Sequence, residues 1–369
     1  MEPVVIIGIL AMSMMTTIMS TSLEKVRRWS YRVFFLCHLV IGVSILPLLF
    51  FHAPHLRIYI SEALAIFFID LTCRKLDSSS GFATIAFVPN TTLVKVRIPL
   101  PTSRIKRFKA VPGQHVYLQI PAESRTTTTS QLSIHEFLFN PFTVASVSAT
   151  DVTLILRTLH GPTTQAIGTL AHLTKAKPPI NIEGPLGSSR HFPNLAAGYD
   201  RILLIAGGVG ATFILPIYRS LKNQLSDEGK SLDRVKFIWS MRDIAEASWA
   251  FEPEEGKPVT VEQDENMKIY VTEKKDDGPD AERGVIPAGS LEMDELHWKA
   301  EDVLVNGGFE RPDLTNIIDE VFRKGNEERV AVLVCGPQGM ARVVRKSVGG
   351  WVEREGSREV WFHDESFGW

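Results

Sequence analysis

Nearly all of the hydrophobic excess in this chain lies within its first 76 residues, in three apolar runs at 3–19, 31–52 and 58–72. Each approaches the roughly 20 residues an α-helix needs to cross a bilayer, although the first and third are short. The first run does not read as a cleaved signal peptide, because its flank carries Glu2, no Lys or Arg precedes it, and no A-x-A site follows. Lys25, Arg27, Arg28 and Arg32 crowd the loop after the first run, and Arg74 and Lys75 follow the third. The positive-inside rule puts both groups in the cytoplasm. Three spans then leave the N-terminus and the 53–57 loop outside and everything after Lys75 inside. A length of 369 residues leaves room for two to three folded units in all. A net charge of −2 argues against a global nucleic-acid surface. Cys37, Cys73 and Cys335 are far apart with no CxxC pair, so the sequence reads as neither a disulfide framework nor a Cys-rich zinc site.

The second run carries His38 and His52, and imidazoles in a bilayer are costly unless they face a partner or a cofactor. Their separation of 14 residues is close to four helical turns, so both rings leave one face of a helix about 21 Å apart along the axis. Such a helix offers one axial ligand to each of two haems. Interfacial side chains near the helix ends are the plainer alternative.

From 81 to 183 the pattern changes to short alternating runs, among them 92–98, 115–120, 142–148 and 152–158, which predicts a small antiparallel barrel or sandwich. The basic stretch 101–108, with Arg104, Lys106 and Arg107, reads as a solvated loop in preference to a membrane-facing or substrate-facing patch. At about residue 200 the period changes again. A buried strand at 201–206 runs into Gly207-Gly208-Val209-Gly210-Ala211-Thr212 and an amphipathic helix at 214–225. That order lets a phosphate approach backbone N–H groups at a helix N-terminus. Further strands at 235–239, 267–272 and 330–335 predict an open parallel sheet, with ligands beyond the carboxyl ends of its strands. Ser240 and Arg242 lie beyond the second strand, where a guanidinium can pair with a 2′-phosphate, and Cys335-Gly336-Pro337 lies beyond the last. The charge-rich stretch 252–284 reads as surface insertions around the 267–272 strand.

Asn140-Pro141-Phe142-Thr143-Val144-Ala145-Ser146, Val111-Pro112-Gly113-Gln114, the 206–212 glycine loop, Val334-Cys335-Gly336-Pro337 and the terminal Glu365-Ser366-Phe367-Gly368-Trp369 together resemble fungal ferric-chelate reductases, relatives of the membrane NADPH oxidases. The resemblance implies transmembrane helices of a haem domain (1–76), an antiparallel FAD-binding barrel of the ferredoxin-NADP-reductase type (77–195) and a Rossmann-like NADPH-binding domain (196–369). It places Pro141, Phe142 and Thr143 beside the isoalloxazine, with Thr143 near flavin N5. The family usually has His where this chain has Asn140, which can donate a hydrogen bond but not carry charge. Arg157, Thr163 and Thr164 resemble the segment that wraps the FAD phosphates. Gly207, Gly208, Gly210 and Thr212 look like the NADPH pyrophosphate loop, Arg242 like the 2′-phosphate reader, Cys335 like the residue beside the nicotinamide, and Trp369 like the terminal aromatic that stacks on the flavin.

By the same resemblance His38 and His52 fall on the haem-ligand helix, as ligands of haem b iron. The family's other two histidines come from an earlier helix, and no histidine precedes Arg27 here. The chain thus resembles a member lacking its N-terminal helices, with a second membrane chain as one source of the missing ligands. The implied activity is hydride transfer from NADPH to FAD, then single electrons through haem to extracytoplasmic ferric or cupric chelates, with the reductase domains on the cytoplasmic side of the plasma membrane. Two other readings stand beside it: a haem-free, membrane-anchored NADPH:FAD reductase serving a cytoplasmic acceptor, and a noncatalytic member that binds nucleotide or a full-length partner.

Overall fold

The computed structural model describes residues 2–124, 139–159, 161–173, 177–251, 264–272, 307–324, 328–354 and 359–365. They form two compact units, one ending at Ser78 and the other beginning at Ser79.

The first unit is helical: α1 (Pro3–Thr21), α2 (Glu24–Trp29), α3 (Tyr31–His52) and α4 (Arg57–Asp77). Pro3 opens α1, where a missing N–H costs nothing. The hydroxyls of Ser13, Thr16, Thr17 and Thr21 each donate to the carbonyl four residues earlier, so these polar groups are satisfied within the helix, as hydrocarbon requires. The Ser30 hydroxyl caps α3 by accepting from the Val33 N–H at 3.4 Å.

Among the described residues, two helical segments, Pro3–Thr21 and Val33–His52, are long and apolar enough to cross a membrane. The expected third span is a helix, but Glu62 and Asp70 stand inside it and Arg57, Arg74, Lys75 and Asp77 at its ends. A carboxylate at the bilayer centre costs about 2.5 kcal/mol or more. Composition alone therefore does not make α4 a span, although Arg74 offsets Asp70 at 2.8 Å.

The second unit opens with β1 (Ser79–Phe82), β2 (Thr84–Phe87), β3 (Leu93–Pro99), α5 (Thr102–Lys109), β4 (His115–Gln119), β5 (Asn140–Val147), β6 (Asp151–Arg157), α6 (Pro162–His172) and β7 (Pro179–Leu186). These strands make one antiparallel sheet in the order β1-β7-β4-β5-β6-β3-β2. Because β1 and β2 follow each other in the chain yet end opposite edges, the sheet must curl. A Cβ on Gly81 of β1 would stand 2.5 Å from the Pro99 carbonyl of β3, so a side chain there would hold the curled edges apart. Inside, Val94, Val96 and Ile98 are buried while Lys95 and Arg97 alternate outward. Residues 101–108 are not a loop: they form most of α5, which buries Ile105 and Phe108. These two apolar positions, three apart on one face, outweigh the basic residues around them.

The chain continues through α7 (Leu195–Gly198), β8 (Arg201–Gly207), α8 (Ala211–Asp227), β9 (Val235–Met241), β10 (Met267–Val271), α9 (Leu314–Arg323), β11 (Val330–Cys335), α10 (Gln338–Arg354) and β12 (Val360–Glu365). The strands form a parallel sheet in the order β10-β9-β8-β11-β12. Ile202, Leu204 and Ala206 of β8 pack in the core shared with α8, while Leu203 and Ile205 pack with α9 and α10. Burial on both faces explains the unbroken apolar run of β8. The core on the α8 side also takes in Leu93, Ala145 and Ile155 from the antiparallel sheet. β12, whose Trp361, His363 and Glu365 break the apolar pattern, is a strand the sequence did not announce. The charge-rich stretches 252–263 and 273–284 lie outside the described residues.

Candidate functional site

The glycine loop leaves β8 and enters α8. Gly208 has φ +53°, a conformation that favours glycine. A Cβ on Gly210 would collide with the Cys335 carbonyl, and one on Gly207 would stand 2.6 Å from Pro337 Cδ. The two turns at the carboxyl ends of β8 and β11 thus touch backbone to backbone, which brings Gly207, Gly210, Cys335, Gly336 and Pro337 together. The Trp239 indole N–H donates to the Gly208 carbonyl at 3.1 Å and pins the loop to β9. Ser240 pairs with Gly207 in the strand register, and Arg242 is exposed just past β9. Thr212 is buried, its hydroxyl donating to the Val209 carbonyl at 2.9 Å, so that side chain closes the loop rather than lining it.

On the antiparallel sheet, Asn140, Pro141, Phe142 and Thr143 open β5. The Asn140 amide donates to Thr163 Oγ1 at 2.6 Å, joining the head of β5 to the first turn of α6. The Thr164 hydroxyl turns back into that turn, against the Leu159 and Gly161 carbonyls. The Arg157 Nη2 donates to Glu246 Oε1 at 2.5 Å. The turn at Gly113 (φ +71°) meets α8, a Cβ there falling 2.9 Å from Ile217 Cδ1.

Thr143 lies opposite His115 in the β4–β5 register, so the two side chains share a face. Burial holds the His115 imidazole below its ordinary pKa, and the Glu365 carboxylate partly offsets this. Glu365 pairs in register with Cys335 and its Oε2 lies 2.9 Å from His363 Nε2. The Cys335 side chain is fully buried, and burial, then the Glu365 and Asp364 carboxylates, push its thiol well up. It is therefore an inert neutral thiol, not a nucleophile. Sequence reasoning gave no role of their own to His115, Glu246 and Glu365, although Glu365 opens the terminal motif and alternates with His363. Trp369 lies outside the described residues.

These residues fit a dinucleotide and a flavin. Within 4 Å of the missing Gly208 Cβ only Glu246 Oε2 is found among the described residues, which leaves room for a phosphate to reach the main chain. Asn140 and Thr163 present polar groups where β5 meets a helix N-terminus.

The membrane histidines fit a haem less well. Both turn to one neighbour, as their spacing predicts, and that neighbour is α1 with the residue that follows it. His38 Nε2 meets Ser22 Oγ at 2.9 Å while Nδ1 donates to the Phe34 carbonyl at 2.9 Å. His52 Nδ1 donates to the Val4 carbonyl at 3.0 Å, and its Cε1 is 2.8 Å from where a Gly8 Cβ would stand. An iron ligand needs a bare ring nitrogen, and both of those on His38 are engaged. No group of three or more His, Cys, Asp or Glu that could hold a metal occurs among the described residues. The residues present do not form a haem site on their own.

Family comparisons divide the chain as the fold does. Residues 1–49 match the ferric reductase like transmembrane component, 80–190 an FAD-binding domain and 199–349 the ferric reductase NAD binding domain. The chain belongs to the fungal ferric reductase family. This family is related to the membrane NADPH oxidases. Ferric reductase transmembrane component 3 of Saccharomyces cerevisiae is 25% identical, covering 98% of this chain and 50% of that protein. The probable metalloreductase AIM14 of Meyerozyma guilliermondii is 24% identical over 91% of this chain and 64% of its own length. Ferric/cupric reductase transmembrane component 2 of Schizosaccharomyces pombe is 23% identical over 89% and 61%. The chain thus spans between half and two thirds of the length of these three relatives. With the two apolar helices, the family makes it a membrane protein carrying FAD-binding and NAD-binding domains.

Proposed function

We propose that the chain is a membrane metalloreductase that draws electrons from NADPH through FAD and delivers them to ferric or cupric chelates, with its reductase unit at the cytoplasmic face of the plasma membrane. What supports the reading is that the Gly207–Gly210 loop and the Cys335–Pro337 turn meet at the carboxyl ends of β8 and β11, while the antiparallel sheet that carries Asn140–Thr143 shares one core with α8. A flavin held beside residues 140–143 would supply the conversion from hydride chemistry to the single electrons that a one-electron acceptor requires.

The chain's residues bind and orient. Asn140, Thr163 and the first turn of α6 hold FAD phosphates, and Pro141, Phe142 and Thr143 border the ring. The main-chain N–H groups from Gly207 to Gly210 take the NADPH pyrophosphate. Ser240 and Arg242 meet the 2′-phosphate, and Cys335, Gly336 and Pro337 bound the nicotinamide side. Lys25, Arg27, Arg28 and Arg32 hold the loop between α1 and α3 in the cytoplasm. The end of α3 then faces outward, so in this reading α4 crosses back to bring the reductase unit to the NADPH side.

A second reading is favoured by one observation, the engagement of His38 and His52 with α1. In it the chain is a haem-free, membrane-anchored NADPH:FAD reductase with a cytoplasmic acceptor, and crossing would need imidazoles from a second membrane chain. Proteoliposomes with NADPH outside separate the two. Reduction of an impermeant ferric chelate trapped inside supports the first, and reduction only of chelate outside supports the second. Failure of NADPH to drive any reduction overturns both.

A further inference from the structure

Glu246 lies in the short helical turn Ile244–Ala250 that follows β9. Its side chain is only 11% exposed. Oε1 accepts from Arg157 at 2.5 Å, whereas Oε2 is buried with no hydrogen-bond partner among the described residues. A buried carboxylate oxygen without a donor costs roughly 1–3 kcal/mol or more, so it calls for an explanation. Its position supplies one. Oε2 is 3.9 Å from where a Gly208 Cβ would stand, and it alone among the described residues reaches that space. A group entering over Gly208 therefore meets a negatively charged, acceptor-only atom held in place by Arg157. Phosphate oxygens cannot donate to it and are repelled. The donors nearest the pyrophosphate of a dinucleotide are the hydroxyls of its two riboses.

We infer that Glu246 Oε2 accepts a hydrogen bond from a ribose hydroxyl of the dinucleotide held over Gly208, with Arg157 as the positioning residue that aims the carboxylate. This rests on the dinucleotide reading of the glycine loop. The division of labour follows from charge: main-chain N–H groups of the loop take the phosphates, and the Glu246 carboxylate beside them selects the sugar. Arg157 belongs to β6 and Glu246 to the turn after β9, so the same pair ties the flavin sheet to the nucleotide loop.

The test is calorimetric, on the detergent-purified full chain with FAD, using ADP-ribose, which carries both riboses, and inorganic pyrophosphate, which carries none. In Glu246→Ala, ADP-ribose binding is expected to weaken by roughly tenfold to a hundredfold, the range for a hydrogen bond to a charged group. Pyrophosphate binding is expected to hold or tighten. Equal or tighter binding of both probes would make the carboxylate merely repulsive and overturn the inference. Loss of both, with Glu246→Gln binding both like the unaltered chain, would make it a structural prop and also overturn it. If the unaltered chain binds neither probe, the dinucleotide reading falls, and this inference with it.

Discussion

The α-carbon of Gly210 lies so close to the Cys335 carbonyl that a methyl group on it would overlap that oxygen. Two strand-ending turns that share no sequence neighbourhood are thus one structural feature. Gly210→Ala must push β8 and β11 apart at their carboxyl ends, at a cost of about 1–3 kcal/mol. The expected outcome is a lower melting temperature together with loss of NADPH binding, read by thermal melting and by equilibrium titration. A variant that melts and binds like the parent would contradict the contact.

Gly208 differs, because the space around it is open. Gly208→Val carries the cost of a positive φ, about 1–2 kcal/mol, and fills the approach to the loop. FAD should be retained while NADPH no longer bleaches it under anaerobic conditions. Unaltered bleaching would remove the loop from nucleotide binding.

Arg242 stands exposed past β9, free to meet a 2′-phosphate. Arg242→Ala should raise the KM for NADPH by about tenfold, the value of one charge-assisted contact, with little change for NADH. The ratio of the two constants is the readout, and an equal rise in both would rule out the role.

His115 is favoured neutral in the folded protein, its pKa lying below the ordinary 6.5 because of burial. The unfolded chain then binds the proton more readily, so stability is present above pH 6.5 and is lost as pH falls through the window below it. The melting temperature should drop on acidification in that range, and His115→Gln should flatten part of the drop. A difference between the two proteins that does not vary with pH would show that His115 does not titrate there.

Local features were legible in advance. The order of strand, glycine loop and helix at 201–225 appears as β8, Gly207–Gly210 and α8, because each needs only its own neighbours to form. The common face of His38 and His52 followed from helical geometry. α5 was misread because charge was weighed above the spacing of Ile105 and Phe108. α4 is less legible: Glu62 and Asp70 interrupt its apolar run, so composition alone does not mark it as a span.

By itself the sequence determined the apolar N-terminal helices, the change from alternating strands to a parallel sheet, and the motifs that mark a ferric reductase, all of which rest on periodicity or short runs. Only the tertiary structure decided which distant groups meet: Arg157 with Glu246, Thr143 with His115, Gly210 with Cys335, and the two histidines with α1 and the residue that follows it. These partners lie far apart along the chain, or on elements with no local mark of their own. Close packing between sheets and helices, not propensity along the chain, chooses them.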